Sequence, residues 1–143
     1  MQYRRFGKTE LQMPVFSCGG MRYQQTWDDA TLDVVEDKNQ RNLEATIHRA
    51  LELGVTHIET ARGYVSSERQ LGRGLPGLRE ERPTSGGPDG LIVQTKVAPV
   101  ADAEEFRRLV LDSLDRLRLP RVALLGLHGI STHELLWWST RPG

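Results

Sequence analysis

Four side chains in this 143-residue sequence could build one proton-handling site: the carboxyl of Glu59, the phenol of Tyr64, the ammonium of Lys96 and the imidazole of His128. A carboxylate can pair with an ammonium, while a phenol and an imidazole can each donate or accept a proton. Glu59 and Tyr64 lie five positions apart, just past a short apolar run. Lys96 and His128 each stand at the end of another such run. A further pair, Gly19-Gly20, ends a fourth run. Two adjacent glycines let a backbone come close to a ligand, or simply make a tight turn.

Such residues share a site only if something brings them together, and the pattern supplies it as a repeated strand–loop–helix unit. Gly54 can stop a helix, residues 55–58 read as a strand, and a helix follows over residues 67–75 with Leu71 and Leu75 four apart. Ser67 is the expected N-cap of that helix, with Glu68 in the first turn, where the helix dipole favours a carboxylate. The preceding helix shows its buried face from Leu43 through Ile47, Ala50 and Leu51, with Asn39 or Asn42 as the expected cap. Residues 91–97 form an apolar strand carrying Lys96. Asp102 and Glu105 then open a helix with Phe106, Leu109, Val110, Leu114 and Leu117 on one face. Past Pro120, residues 122–127 read as another buried strand, with His128 directly after it, and residues 132–138 as a short helix.

The first 20 residues read as β structure. Residues 3–6 and 11–13 make a hairpin around a loop at 7–10, Pro14 ends it, and residues 15–18 form a first buried strand. Residues 22–39 read as a long loop anchored by Trp27, and residues 76–90 as a surface loop with turn composition throughout 83–90. Strands alternating with helices imply a parallel sheet with right-handed crossovers. In such folds the residues past the strand C-terminal ends meet the ligand. If the four strands are neighbours, all the candidate groups converge on one face.

Composition narrows the class. Nineteen acids balance nineteen bases, which gives no reason to expect nucleic acid or an anionic membrane as partner. No apolar run approaches the roughly 20 residues of a membrane helix, and no basic-then-apolar leader opens the chain. One cysteine, Cys18, excludes an internal disulfide and fits a reducing compartment, so the cytoplasm is expected. Residues 1–143 read as one unit, and no metal site is expected.

The stretch G-V-T-H-I-E-T-A-R-G-Y-V-S-S-E-R-Q-L-G resembles the signature of the aldo-keto reductases. V-Q-T-K resembles that family's lysine strand, L-L-G-L-H-G-I its histidine strand, and Cys18-Gly19-Gly20-Met21-Arg22 its first turn. The resemblance implies a (β/α)8 barrel that reduces an aldehyde or ketone with hydride from NADPH. It makes Tyr64 the general acid, Lys96 the cation beside it, Glu59 the partner of the lysine, and His128 the group that orients the carbonyl. It also sets Gly20, Met21, Arg22 and Glu59 against the NADP(H) cofactor. A phenol of ordinary pKa near 10 needs a nearby cation to be useful near neutrality.

Two residues depart from the family pattern: Glu59 stands where aspartate is usual, and Val65 where glycine is common after the tyrosine. A complete barrel needs about 250 residues. The chain is therefore expected to be an N-terminal half with about four parallel strands, inactive when isolated, and completed by a C-terminal half or a second chain. Two other readings use the same residues. One is a non-catalytic regulatory or interaction protein on this scaffold. The other is a different barrel enzyme, such as an aldolase with Lys96 as Schiff base.

Overall fold

The computed structural model describes residues 1–29, 31–81 and 90–141. A hairpin comes first, with β1 (Tyr3–Arg5) antiparallel to β2 (Gln12–Pro14). Four strands then form one parallel sheet in chain order: β3 (Cys18–Gly19), β4 (His57–Glu59), β5 (Ile92–Val97) and β6 (Leu124–Leu127). The helices are α1 (Asp37–Glu52), α2 (Ser67–Glu81), α3 (Ala103–Leu117) and α4 (His133–Thr140). The result is the expected α/β alternation, and it fits part of a (β/α)8 barrel.

Strand pleating divides the sheet into two faces. Ile58 and Val93 point to the helices, where they join Leu43, Ile47 and Leu51 of α1 and Leu71, Leu75 and Leu78 of α2. Burying each such side chain contributes about 1.5–3 kcal/mol, so this layer holds the sheet to its helices. The other face carries His57, Glu59, Gln94 and Lys96, with Glu59 beside Gln94 and His57 beside the fully buried Ile92 in register. One face is hydrophobic core, and the other gathers the polar groups around the apolar Ile92 and Leu124.

Several elements differ from the expectations above. β3 is two residues long, paired with Ile58 and Glu59 of β4 as its one partner among the described residues, and Val15 and Phe16 are exposed rather than buried. β6 starts at Leu124, and as an edge strand it leaves Leu125 and Leu127 nearly half exposed. Helix α1 begins at Asp37 with no side-chain cap, so neither Asn39 nor Asn42 caps it; the Asn39 carbonyl accepts from Gln70 instead. Ser67 is the first helical residue, not the cap, and its hydroxyl bonds Thr60 and the Gly20 carbonyl.

Residues 76–81, expected as loop, are helical: Pro76 sacrifices one intrahelical bond while Leu75 and Leu78 stay buried. The loop expected at 83–90 lies, up to residue 89, outside the described residues. Trp27 is 61% exposed, so Tyr23 and Val35, both buried, anchor the long loop in its place. Asp102 does cap α3 through the Glu105 amide, but the Glu105 carboxylate turns to Arg108, so only half of the capping box forms. No described helix is long and apolar enough to cross a membrane.

Helices α2 and α3 meet at Gly72, where a Cβ would overlap the Arg116 carbonyl oxygen and the Leu117 backbone. Gly77, in the same helix, faces open space. Gly72→Ala should therefore lower stability by about 1–3 kcal/mol through overpacking, whereas Gly77→Ala should raise it by up to about 1 kcal/mol. Urea midpoints of the two variants measure this, and shifts of the same sign would contradict the packing described.

Candidate active site

Glu59 is the last residue of β4, Lys96 the second-last of β5, and His128 follows β6 with its amide bonded to the Val97 carbonyl at 2.9 Å. Tyr64 closes a 3-10 turn, Arg62–Tyr64, that leads from β4 to α2. Because β4, β5 and β6 are adjacent and parallel, these ends share one rim of the sheet. The Lys96 ammonium forms an ion pair with the Glu59 carboxylate; the two side chains are 17% and 19% exposed. Its Nζ also lies 4.6 Å from the centroid of the Tyr64 ring. The rings of Tyr64 and His128 meet edge to face at 5.3 Å and 89°. All four groups singled out in the sequence are brought together.

Two glycines make this possible. A Cβ at residue 126 would sit 3.0 Å from Lys96 Cγ, and one at residue 63 would sit 3.3 Å from His128 Nδ1 and Cε1. The bare backbone of Gly126 leaves room for the lysine stem, and that of Gly63 lets the imidazole close on the tyrosine turn. Burial holds Lys96 below the usual ammonium range. His128 is held below the usual imidazole value, first by burial and then by the charge of Lys96. At neutral pH His128 is therefore an uncharged hydrogen-bonding group beside a cation.

Below the ion pair lies a chain that sequence reading missed. His57 Nε2 donates to Gln94 Oε1 at 3.0 Å, and its Nδ1 accepts from the Ser17 hydroxyl at 2.7 Å. Burial lowers the His57 pKa most, the Gln94 bond opposes that, and Lys96 lowers it further. A period-two reading would have found the chain, since His57 and Gln94 each precede a site residue by two positions and so share its face.

The turn Gly20–Arg22 starts beside Glu59. A Cβ on Gly20 would fall 2.7 Å from the Glu59 carbonyl, and one on Gly19 would fall 3.8 Å from Glu59 Oε2. Gly19 thus borders the carboxylate and Gly20 packs on the β4 backbone, while Met21 and Arg22 that follow are exposed. Val65, directly after Tyr64, adopts φ 47° and ψ −107°. A β-branched residue at positive φ is strained. Ser66 and Ser67, both fully buried, hold it there from the helix side.

A profile described as Aldo/keto reductase family matches residues 16–134. Two solved structures of a Pseudomonas aeruginosa protein assigned to the aldo-keto reductases superpose with TM-scores of 0.72 and 0.73 at 26% identity; they cover 94% of this chain and 49% and 50% of theirs. An aldose reductase from Schistosoma japonicum superposes at 0.59 with 21% identity, over 90% of this chain and 36% of its own. The chain therefore spans about half the length, or less, of the structures it matches. No curated protein sequence matches it.

Two expectations follow from the site. Alanine normally exceeds glycine in stability, but at Val65 the order should invert: Val65→Gly should be more stable than Val65→Ala by about 1 kcal/mol or more, because only glycine accepts that φ without strain. Thermal melts of the pair decide it, and the ordinary order would mean no strain.

The second concerns pH. With the folded-state pKa of His57 below its unfolded value of 6.5, the unfolded chain binds more protons as pH falls through 6.5. Stability should drop in that window and further until the lowered folded pKa is passed. The His57→Gln variant should show a flatter melting-temperature profile between pH 7.5 and 5, and an unchanged slope would contradict the assignment.

Proposed function

The chain belongs to the aldo/keto reductase family, and from that premise we propose that its rim of four groups reduces an aldehyde or ketone to an alcohol with NADPH. The observation that carries the proposal is the Lys96 ammonium, paired with Glu59 and held 4.6 Å from the Tyr64 ring. A phenol is too weak an acid to serve alone near neutrality. A fixed cation beside it stabilises the phenolate left after proton release and so makes the donor useful.

The roles follow from the chemistry of each group. Tyr64 gives its phenolic proton to the carbonyl oxygen as the carbonyl carbon is reduced. Lys96 stabilises the resulting phenolate, and Glu59 keeps the ammonium in place. His128, neutral and in edge contact with the tyrosine ring, donates a hydrogen bond that orients the carbonyl. A bound nicotinamide would supply the hydride and leave as NADP⁺. The bare backbone of Gly19 beside the Glu59 carboxylate, with Met21 and Arg22 exposed after it, fits a cofactor lying against that turn. Gly20, Met21, Arg22 and Glu59 would hold it.

The Glu59–Lys96 pair also favours this reading over Schiff-base chemistry, which needs a free amine. Because the chain spans about half of the structures it matches, the active species we propose is a barrel completed by a C-terminal half or a second chain. The isolated chain is then inactive.

In that completed barrel, Tyr64→Phe should lower kcat for NADPH oxidation with a reactive aromatic aldehyde by about 10²–10⁴-fold, the usual worth of general acid catalysis. Cofactor affinity, followed by nucleotide fluorescence, should stay nearly unchanged. Lys96→Met should match that loss, while Glu59→Asp should keep part of the activity. Turnover that survives Tyr64→Phe would sink the mechanism.

A further inference from the structure

We infer that Asp112 is a positioning residue for Tyr64, acting through Arg62 at the start of the tyrosine turn. Its significance rests on the reading of Tyr64 as proton donor. Asp112 lies in α3, 50 residues along the chain from Arg62. Its Oδ2 accepts from Arg62 and, at 2.9 Å, from Arg116 Nε. Arg116 is only 8% exposed and holds Asp29 through two parallel bonds of 2.8 and 2.7 Å. The series Arg62–Asp112–Arg116–Asp29 thus ties the tyrosine turn to α3 and to the long loop that follows the Gly20–Arg22 turn.

An ion pair at a protein surface contributes little by itself. This one sits at one end of a strained segment. Ser67 fixes the other end, bonded to Thr60 at 2.9 Å and to the Gly20 carbonyl at 3.0 Å. Between the two anchors lie only Gly63, Tyr64, Val65 and Ser66. Gly63 packs on the His128 ring, and Val65 takes the positive φ. Strain of this kind persists only where the surroundings over-determine the backbone, and Arg62 anchored on Asp112 supplies one of the constraints. With that anchor released, Val65 can relax to an ordinary φ, and the tyrosine ring then leaves its place beside Lys96 and His128.

Burial pushes the Asp112 carboxyl up, but the charges of Arg116 and Arg62 outweigh it and leave the group below its ordinary value. Asp112 is therefore an anion across the neutral range, as the clamp requires. Asp29 provides an internal control, because it shares Arg116 with Asp112 but makes no bond to Arg62.

The test is the nuclear Overhauser contact between the ring protons of Tyr64 and His128 in the full chain, read together with contacts between Ile58 and Val93 that report the intact sheet. Asp112→Asn should abolish the Tyr64–His128 contact and keep the sheet contacts. Asp112→Glu should restore it, and Asp29→Asn should leave it in place. A contact that persists in Asp112→Asn overturns the inference, and so does equal loss in Asp29→Asn. Should Asp112→Asn fail to fold, Arg62→Gln removes the same pair from its other end, and a persisting contact there is equally fatal. No turnover is read, so a failure of Tyr64 as proton donor would leave this outcome unaffected.

Discussion

The structure depends on a charge pair placed where water is scarce. Lys96 and Glu59 lie on neighbouring strands, each less than one-fifth exposed. Removing either from water alone would be costly, and only close pairing offsets that. Around this constraint the rest falls into place. Gly126 leaves room for the lysine stem, Gly19 borders the carboxylate with bare backbone, and the tyrosine ring roofs the ammonium. The pair can stand at the rim because the helix face, with Ile58 and Val93 at its centre, packs the same strands against α1 and α2.

The hydrophobic packing against the helices and the site's charged groups therefore lie on opposite faces of the same few strands. The price is local strain. Val65 sits where glycine would be at ease, between an arginine tied to α3 and a serine tied to the Gly20 turn. Lower in the sheet, burial and the charge of Lys96 favour the neutral form of His57, which bonds Ser17 and Gln94. A second cation under Lys96 is thereby avoided. Polar groups on this face are matched to one another in layers, the uncharged layer beneath the charged one.

Much of this was legible in the sequence, for identifiable reasons. Apolar runs with Glu59, Lys96 and His128 at or just past their ends pointed to the meeting of the four groups on condition that the strands are neighbours, because a parallel sheet aligns its C-terminal ends; the structure supplies the strand order. What stayed hidden depends on partners distant in the chain. Ser67 looked like a cap because caps are local, yet its hydroxyl is used 47 residues away at Gly20. Residues 76–81 looked like the start of a loop, but Leu75 and Leu78 gain more from burial than the helical bond missing at Pro76 costs. The Arg62–Asp112 pair spans 50 residues and follows no motif. Edge exposure at Leu125 and Leu127 depends on what lies beside β6, which a hydrophobic run cannot report.

The most direct test of this picture is a double-mutant cycle on Glu59 and Lys96, followed by equilibrium unfolding. Glu59→Gln and Lys96→Met should each destabilise the chain by leaving the other charge partly buried and unpaired. The double variant should lose less than the sum of the two, with a coupling energy of at least about 1 kcal/mol. Additivity to within about 0.5 kcal/mol would mean that the two charges do not depend on each other, and the site would lose the interaction on which it is built.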